Sequence, residues 1–292
     1  MIWDIPMLTN DPKESTMYDL KALVYGAAVG DALGVPFEFQ GRNTFQCTRM
    51  ASGGVHGMPA GTFSDDTSLL IATCDSIRAC DGEIDTNDMT NRFRNWLNNG
   101  DYAIDGKVFD VGNATATALN EGRGLTHEQS NGNGSLMRIA PLALTDATDQ
   151  QIAEVSAITH AHPISTTACI VFVHILRKVM HEVDLSAAIH STIPDNEQFA
   201  FLADIENKSR DEIQSTGFVL HTLEAALWCN LNTESYAKCV QEAVNLGSDT
   251  DTTACVAGAL AGAIYGHDAI PEQWLKTLRG KDIIDACLFK TE

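Results

Sequence analysis

Asn245 to Gly266 reads NLGSDTDTTACVAGALAGAIYG. Two carboxylates, Asp249 and Asp251, stand at the mouth of a segment that is otherwise almost wholly apolar. No Lys or Arg lies between Cys239 and Leu275. Gly258, Gly262 and Gly266 recur at every fourth position, which places them along one face of a helix. A glycine face leaves room for another backbone to approach closely. The segment therefore reads as a core helix packed tightly in the middle of a bundle, with two negative charges at its start.

A second stretch repeats the pattern. Gly61 to Ile77 reads GTFSDDTSLLIATCDSI, with Ser64, Asp65, Asp66, Thr67 and Ser68 ahead of an apolar helix. No Lys or Arg lies between Met50 and Ile77. A single acidic or hydroxyl residue before a helix is ordinarily an N-cap, favoured by free N–H groups and the helix dipole. One cap needs one side chain, and both starts are crowded well beyond that. Buried carboxylates without partners must protonate, recruit Arg or Lys from elsewhere, or bind a cation. Carboxylates and hydroxyls with no interleaved Cys or His form a hard-oxygen set suited to Mg²⁺, Mn²⁺ or Ca²⁺ rather than Zn²⁺. Asp65, Asp66, Asp249 and Asp251 together can balance two divalent ions, and a metal pair is a familiar hydrolytic arrangement. The stretch DTDTTACVAGAL lacks the Gly and Glu of a calcium-binding EF-hand loop.

Working outward, helical spacing recurs over 17–34, where Gly26, Gly30 and Gly34 form another four-residue ladder. Helices are also predicted at 66–80, 86–98, 112–121, 149–160, 164–181, 216–230, 233–246, 251–265 and 271–279, with two shorter ones within 184–207. Alternating strand-type runs are nearly absent. Residues 40–63 and 122–134 are irregular and rich in Gly and polar residues, and long loops in compact domains are often functional. No linker, low-complexity tract or solenoid repeat interrupts the chain, so one all-α domain over 1–292 is expected.

The 292 residues are 44% hydrophobic and 20% charged, the profile of a soluble globular protein. Acidic residues outnumber basic ones 39 to 19, and the net charge of −20 repels nucleic acid and anionic membrane surfaces. Eight cysteines are scattered without a C-x-x-C, and Cys74, Cys169 and Cys255 fall in apolar helical stretches as buried free thiols do. The start, MIWDIPMLTNDPKE, has no signal-peptide pattern, so a reducing, cytoplasmic location is expected. The uncharged run ending at Gly266 is shorter than the roughly 20 residues a bilayer needs, and no membrane span is expected.

Single residues add candidates, each with an ordinary structural reading. Glu38 is a surface Glu or a further carboxylate at the same centre. Asp31 is a cap or an orienting group. Asp110, in KVFDVGNATATAL, is an N-cap or a carboxylate that takes a proton from water. The turn within SNGNGSLMR offers N–H groups for an anion, but lacks the dinucleotide and P-loop patterns. ITHAHP supplies His160 and His162, read as a helix end with one buried, hydrogen-bonded His or as a metal pair. His267 and Asp268 follow a helix-ending Gly, a poor place for rigid ligands.

Taken together, GAAVGDALGVPFEF, GTFSDDTSLLIAT, FDVGNATATAL, NGNGSLMRIAPLAL, ITHAHP, TLEAALW and AVNLGSDTDTTACVAGALAGAIYG resemble the ADP-ribosylglycohydrolase family, in family order and over about residues 22 to 276. The resemblance implies a mostly orthogonal helical bundle with a central dinuclear Mg²⁺ or Mn²⁺ site. It also implies hydrolysis of the glycosidic bond at C1 of the distal ribose of ADP-ribose. By motif match it assigns Ser64, Asp65, Asp66, Asp249, Asp251 and Thr252 as metal ligands. Glu38 and Asp110 match the catalytic carboxylates, together with Asp65 and Asp66. Gly132, Asn133, Gly134, Ser135 and His160 match the segments that hold the diphosphate and ribose. Ser64 stands where many members have Thr, and both supply a hydroxyl oxygen. The expected substrate is an ADP-ribosylated protein, arginine first, or an ADP-ribosyl small molecule. A non-catalytic ADP-ribose binder and a helical metal phosphohydrolase are the alternatives.

Overall fold

A computed structural model describes residues 12–290. The α-helices are α1 (Pro12–Gly34), α2 (Asp65–Ala79), α3 (Thr86–Asn99), α4 (Asn113–Glu121), α5 (Asp149–Ala157), α6 (Pro163–Met180), α7 (Leu185–His190), α8 (Val219–Leu231), α9 (Tyr236–Asn245), α10 (Thr250–Tyr265), α11 (Glu272–Thr277) and α12 (Lys281–Cys287). Among the described residues there are no strands, only isolated bridges such as Gly132 to Phe218. The chain is all-α.

The expected helices are present with small shifts at their ends. The segment 184–207 holds α7 followed by 3-10 turns at Glu197–Ala203 and Ile205–Asn207 rather than a second α-helix. Sequence periodicity does not reveal α12, which has seven residues and follows Gly280 at φ 68°. Leu20–Phe37 and Pro163–Met180 do meet the length and apolarity of a bilayer span, unlike the run first considered. The first of these is 89% buried inside the protein, as a core helix is.

The centre of the fold is the antiparallel pair α1 and α10. Residues 22 to 36 are buried without a break, so α1 has neighbours on every side. The two glycine ladders explain the closeness of the pair. A Cβ at Gly26 would lie 2.3 Å from the carbonyl oxygen of Gly258, one at Gly30 2.0 Å from that of Ala254, and one at Gly262 2.2 Å from that of Ala22. A Cβ at Gly34 would lie 2.3 Å from Asp251 Cα. Gly266 is not part of this face; it ends α10 at φ 79°.

This register decides where the acidic residues go. It sets the start of α10 against the end of α1, where Thr250 Oγ1 also donates to the Gly34 carbonyl at 2.8 Å. The start of α2 is fixed to the same place by Asp31 on α1. The Asp31 carboxylate accepts from Ser64 N and Thr67 N, each at 3.0 Å, and from Thr67 Oγ1 at 2.6 Å. Asp31 is thus both of the things expected of it: a cap supplied from another helix and an orienting group.

Candidate active site

Both acidic helix starts converge at the end of α1. Ser64 is the N-cap of α2, and its Oγ lies 2.9 Å from Asp66 Oδ2. Thr252 Oγ1 donates to the same Asp66 oxygen at 3.3 Å, joining the two starts. Asp31, Asp66 and Asp251 each offer a carboxylate oxygen within 4.8 Å of the others. All three are fully buried. Asp66 Oδ1 and Asp251 Oδ2 are buried oxygens with no hydrogen-bond partner. No Lys or Arg among the described residues pairs with Asp31, Asp65, Asp66, Asp249 or Asp251. The positive ends of α2 and α10 point at the cluster, but a helix end carries only about half a charge.

Above this floor lies a cavity of about 260 Å³. Glu38, Asp65, Asp110, Asp249 and Thr252 line one part of it, and Gly132, Asn133, Gly134 and His160 another. Ser64, Asp66 and Asp251 lie underneath. Ser135 is placed differently: its hydroxyl accepts from Ser156 Oγ at 2.9 Å inside the core, so only its backbone remains for a ligand.

The glycine turn is stitched to the start of α8. Asn133 N donates to the Gly217 carbonyl at 3.0 Å, and Val219 N donates to the Asn131 carbonyl at 3.0 Å. The Asn133 side chain donates to Asp249 Oδ2 and to Thr222 Oγ1, both at 2.9 Å, which ties the turn to the acidic cluster. Glycine is required at 134 because the His160 ring closes over it, with Cε1 2.9 Å from where a Cβ would sit. His160 is the buried, hydrogen-bonded His of the pair, with Nδ1 2.8 Å from Thr159 Oγ1. Burial, and then the Arg138 charge, push its pKa down to about 3, so it faces a ligand as neutral imidazole. His162 instead caps α6.

Asp110 is not an N-cap. Gly112 precedes α4, and Asp110 holds a left-handed φ of 57°. Phe39 (φ 63°) and Ser248 (φ 65°), the neighbours of Glu38 and Asp249, share that conformation. Such backbones cost on the order of 1–3 kcal/mol each and persist where surrounding structure holds them, typically at functional sites.

His56 was not foreseen. It comes from the irregular 40–63 segment, hydrogen-bonds Glu38 Oε2 through Nε2, and places the same nitrogen 3.7 Å from Asp110 Oδ1. The loop is seated by Gly54, where a Cβ would lie 2.6 Å from the Pro36 carbonyl oxygen. A lone His among glycines carries no periodic signal, so only the fold reveals its partners.

The electrostatics match an uncompensated cluster. Burial pushes the Asp31 carboxyl up to about 6. Burial, and then Asp110 and Asp249, push Glu38 up to about 9. Asp65, Asp66 and Asp251 lie well above the carboxylate range, from burial first and then from one another and their neighbours. Asp249 is raised by burial against the lowering effect of Asn133 and Thr252. A carboxyl with a raised folded pKa binds more protons folded than unfolded, so it subtracts stability as pH rises. The subtraction begins near the unfolded value of about 4 and is complete above the folded values. Metal-free protein is therefore expected to melt progressively lower from about pH 5 to about pH 9. Mg²⁺ is expected to raise the melting temperature more at the alkaline end. Melting curves in EDTA and in Mg²⁺ check this, and a melting temperature indifferent to Mg²⁺ at both ends would contradict it.

The donor set passes the test of fit for hard divalent cations: oxygen atoms only, no counter-charge from Lys or Arg, and orphaned buried carboxylate oxygens.

The family model described as ADP-ribosylglycohydrolase matches residues 14–290. ADP-ribosylarginine hydrolase Tri1 of Pseudomonas putida is 32% identical over 279 residues, covering 90% of this chain and 75% of its own. The ADP-ribosyl-[dinitrogen reductase] glycohydrolase of Rhodospirillum rubrum is 29% identical over 276 residues, covering 87% of each chain. A solved structure titled ADP-ribosylglycohydrolase-related protein complex aligns with a TM-score of 0.78 at 29% identity, covering 94% of this chain and 96% of that one.

Proposed function

The chain belongs to the ADP-ribosylglycohydrolase family, and from that premise we propose that it removes mono-ADP-ribose from arginine side chains of proteins. The observation that carries the chemistry is the buried, unpaired carboxylate pair Asp66 and Asp251 beneath the cavity. Ser64, Asp65, Asp66, Asp249, Asp251 and Thr252 would hold two divalent cations, Mg²⁺ or Mn²⁺. When bound, these supply Lewis acidity, acidify water and neutralise the carboxylates. The arginine linkage is supported by relatives named for it.

The protein groups divide the remaining work. The Gly132–Gly134 turn and neutral His160 offer uncharged donors to the diphosphate and ribose, in a chain whose overall charge of −20 repels an anion. Asn133 holds Asp249 in place. Glu38 and Asp110 face the cavity and share His56. Once the cations have neutralised the cluster that keeps Glu38 protonated, these two carboxylates are the groups that take a proton from water as its oxygen bonds to C1. The C1–N bond breaks as C1 gains oxocarbenium character, and the proton passes on to the departing guanidine. The 40–63 loop, with His56 on Glu38, is placed to exclude bulk water. Eight free cysteines fit a reducing compartment such as cytoplasm.

Arginine-ADP-ribosylated protein incubated with Mg²⁺ is expected to yield free ADP-ribose and unmodified arginine, identified by mass. AMP as product would assign the diphosphate bond instead. Tight binding without turnover would assign a binding module.

A further inference from the structure

Arg138 is the one arginine among the described residues that is fully buried. No carboxylate among them pairs with it. Its guanidinium lies 4.5 Å from the centre of the Phe93 ring and donates to the Val155 carbonyl from both terminal nitrogens, at 3.3 and 3.2 Å. Its other hydrogen bond runs from Nη2 to Thr159 Oγ1, at 2.9 Å. A buried charge without a counter-ion is costly. Closing a carbonyl in the last turn of α5 accounts for part of its presence. The contact with Thr159 needs a separate reason.

We propose that Arg138 and Thr159 are positioning residues that hold the His160 ring as an Nε2–H donor, aimed into the catalytic cavity at an acceptor oxygen of ADP-ribose. The ligand named here rests on the functional reading above. A guanidinium only donates, so Thr159 Oγ1 accepts from Arg138. The Thr159 hydroxyl, itself fully buried, must then place its own hydrogen. Among the described residues, the only other group hydrogen-bonded to this oxygen is His160 Nδ1, at 2.8 Å. The hydroxyl therefore donates to Nδ1, and the proton of the neutral ring sits on Nε2. Nε2 is at the cavity wall, 3.4 Å from where a Cβ would stand at Gly132 and again at Gly134. The backbone on both sides is tied down, with Leu125 N donating to the Thr159 carbonyl and His160 N to the Ser156 carbonyl, each at 2.9 Å. The opposite tautomer would turn a lone pair toward an anionic ligand. The fully buried cation thus favours an anion without touching it, by fixing which face of a neutral ring the ligand meets.

The test is long-range ¹H–¹⁵N NMR of protein labelled at its histidines, with the His160 signals identified by their absence from His160→Gln. Wild-type protein without ligand is expected to show a single Nε2–H tautomer at pH 7. Thr159→Val and Arg138→Met are expected to show a mixture of tautomers, because each releases Nδ1 from an obligatory donor. The Kd of Mg²⁺-loaded Thr159→Val for ADP-ribose, measured by calorimetry, is expected to rise roughly three- to tenfold. Thr159→Ser, which keeps the hydroxyl, is expected to keep both the tautomer and the wild-type Kd. An Nδ1–H or doubly protonated ring in wild-type protein would overturn the proposal. So would a Thr159→Val variant that melts lower but keeps the tautomer and the Kd, the mark of a merely structural contact. A single Nε2–H signal in Arg138→Met would remove Arg138 from the relay. Wild-type protein with the Nε2–H ring that binds no ADP-ribose would instead overturn the functional reading, and with it the ligand assigned to this donor.

Discussion

Asp251→Asn is expected to abolish turnover while leaving the helical fold intact. Asp251 is fully buried at the first turn of α10, and its Oδ2 has no protein partner. Its Oδ1 accepts only from the neighbouring Thr252 N at 3.1 Å. Nothing structural is therefore lost when the charge goes, beyond one buried polar group worth about 1–3 kcal/mol. In metal-free protein the cluster becomes less crowded only at alkaline pH, above the raised Asp251 pKa, where the remaining carboxylates lose a negative neighbour. In EDTA at that pH the variant should melt no lower than wild type, and its stabilisation by Mg²⁺ should shrink. Several kcal/mol of charge stabilisation at the reacting centre corresponds to a rate loss on the order of 10³-fold or more. Turnover at saturating Mg²⁺ together with circular dichroism decides the matter. A wild-type rate would remove Asp251 from the site.

Gly34→Ala is expected to harm stability and activity together. The added Cβ would lie 2.3 Å from Asp251 Cα and 2.4 Å from Asp251 N, so α10 must move away from α1. Overpacking of this kind costs typically about 1–3 kcal/mol, and the clash here is with backbone that cannot rotate aside. The displaced residue is itself a member of the cluster, so folded Gly34→Ala protein should also turn over slowly. Gly262→Ala separates the two effects. It clashes with the Ala22 carbonyl oxygen at 2.2 Å, but roughly 16 Å further along α10. It should lower the melting temperature comparably while each folded molecule keeps its rate. Equal rates for the two variants would mean that the α1–α10 spacing does not position the site.

The same pair of helices shows how much was legible in the sequence. Gly26, Gly30, Gly34, Gly258 and Gly262 advertise a close approach through their spacing alone, because no other residue type tolerates backbone at such distances. The acidic helix starts were equally visible, since charge without counter-charge is a property of composition. Their convergence was not visible in spacing. It depends on Asp31 reaching from one helix to cap another, and a cap supplied across 33 residues leaves no local pattern. His56 was hidden for a related reason, as were Phe39 and Ser248, whose left-handed backbones are ordinarily signalled by Gly. Asp110 read equally as a cap or as a proton-accepting carboxylate because it stands just ahead of a helix, and only the left-handed turn at that residue, which carries its side chain to the cavity, separates the two. The orientation of Ser135 depends on Ser156 and Cys169, brought beside it by α5 and α6.

On the proposed reading, divalent cations balance the buried carboxylates and hydrolysis depends on them. Calorimetric titration of Mn²⁺ or Mg²⁺ into EDTA-stripped, dialysed protein tests it most directly, with ADP-ribose release measured on samples from the same titration. Two ions per chain are expected, with activity rising from zero in step with occupancy, and with weakened uptake and no activity in Asp251→Asn. Stripped protein that takes up no metal and still releases ADP-ribose at the full rate would contradict the account.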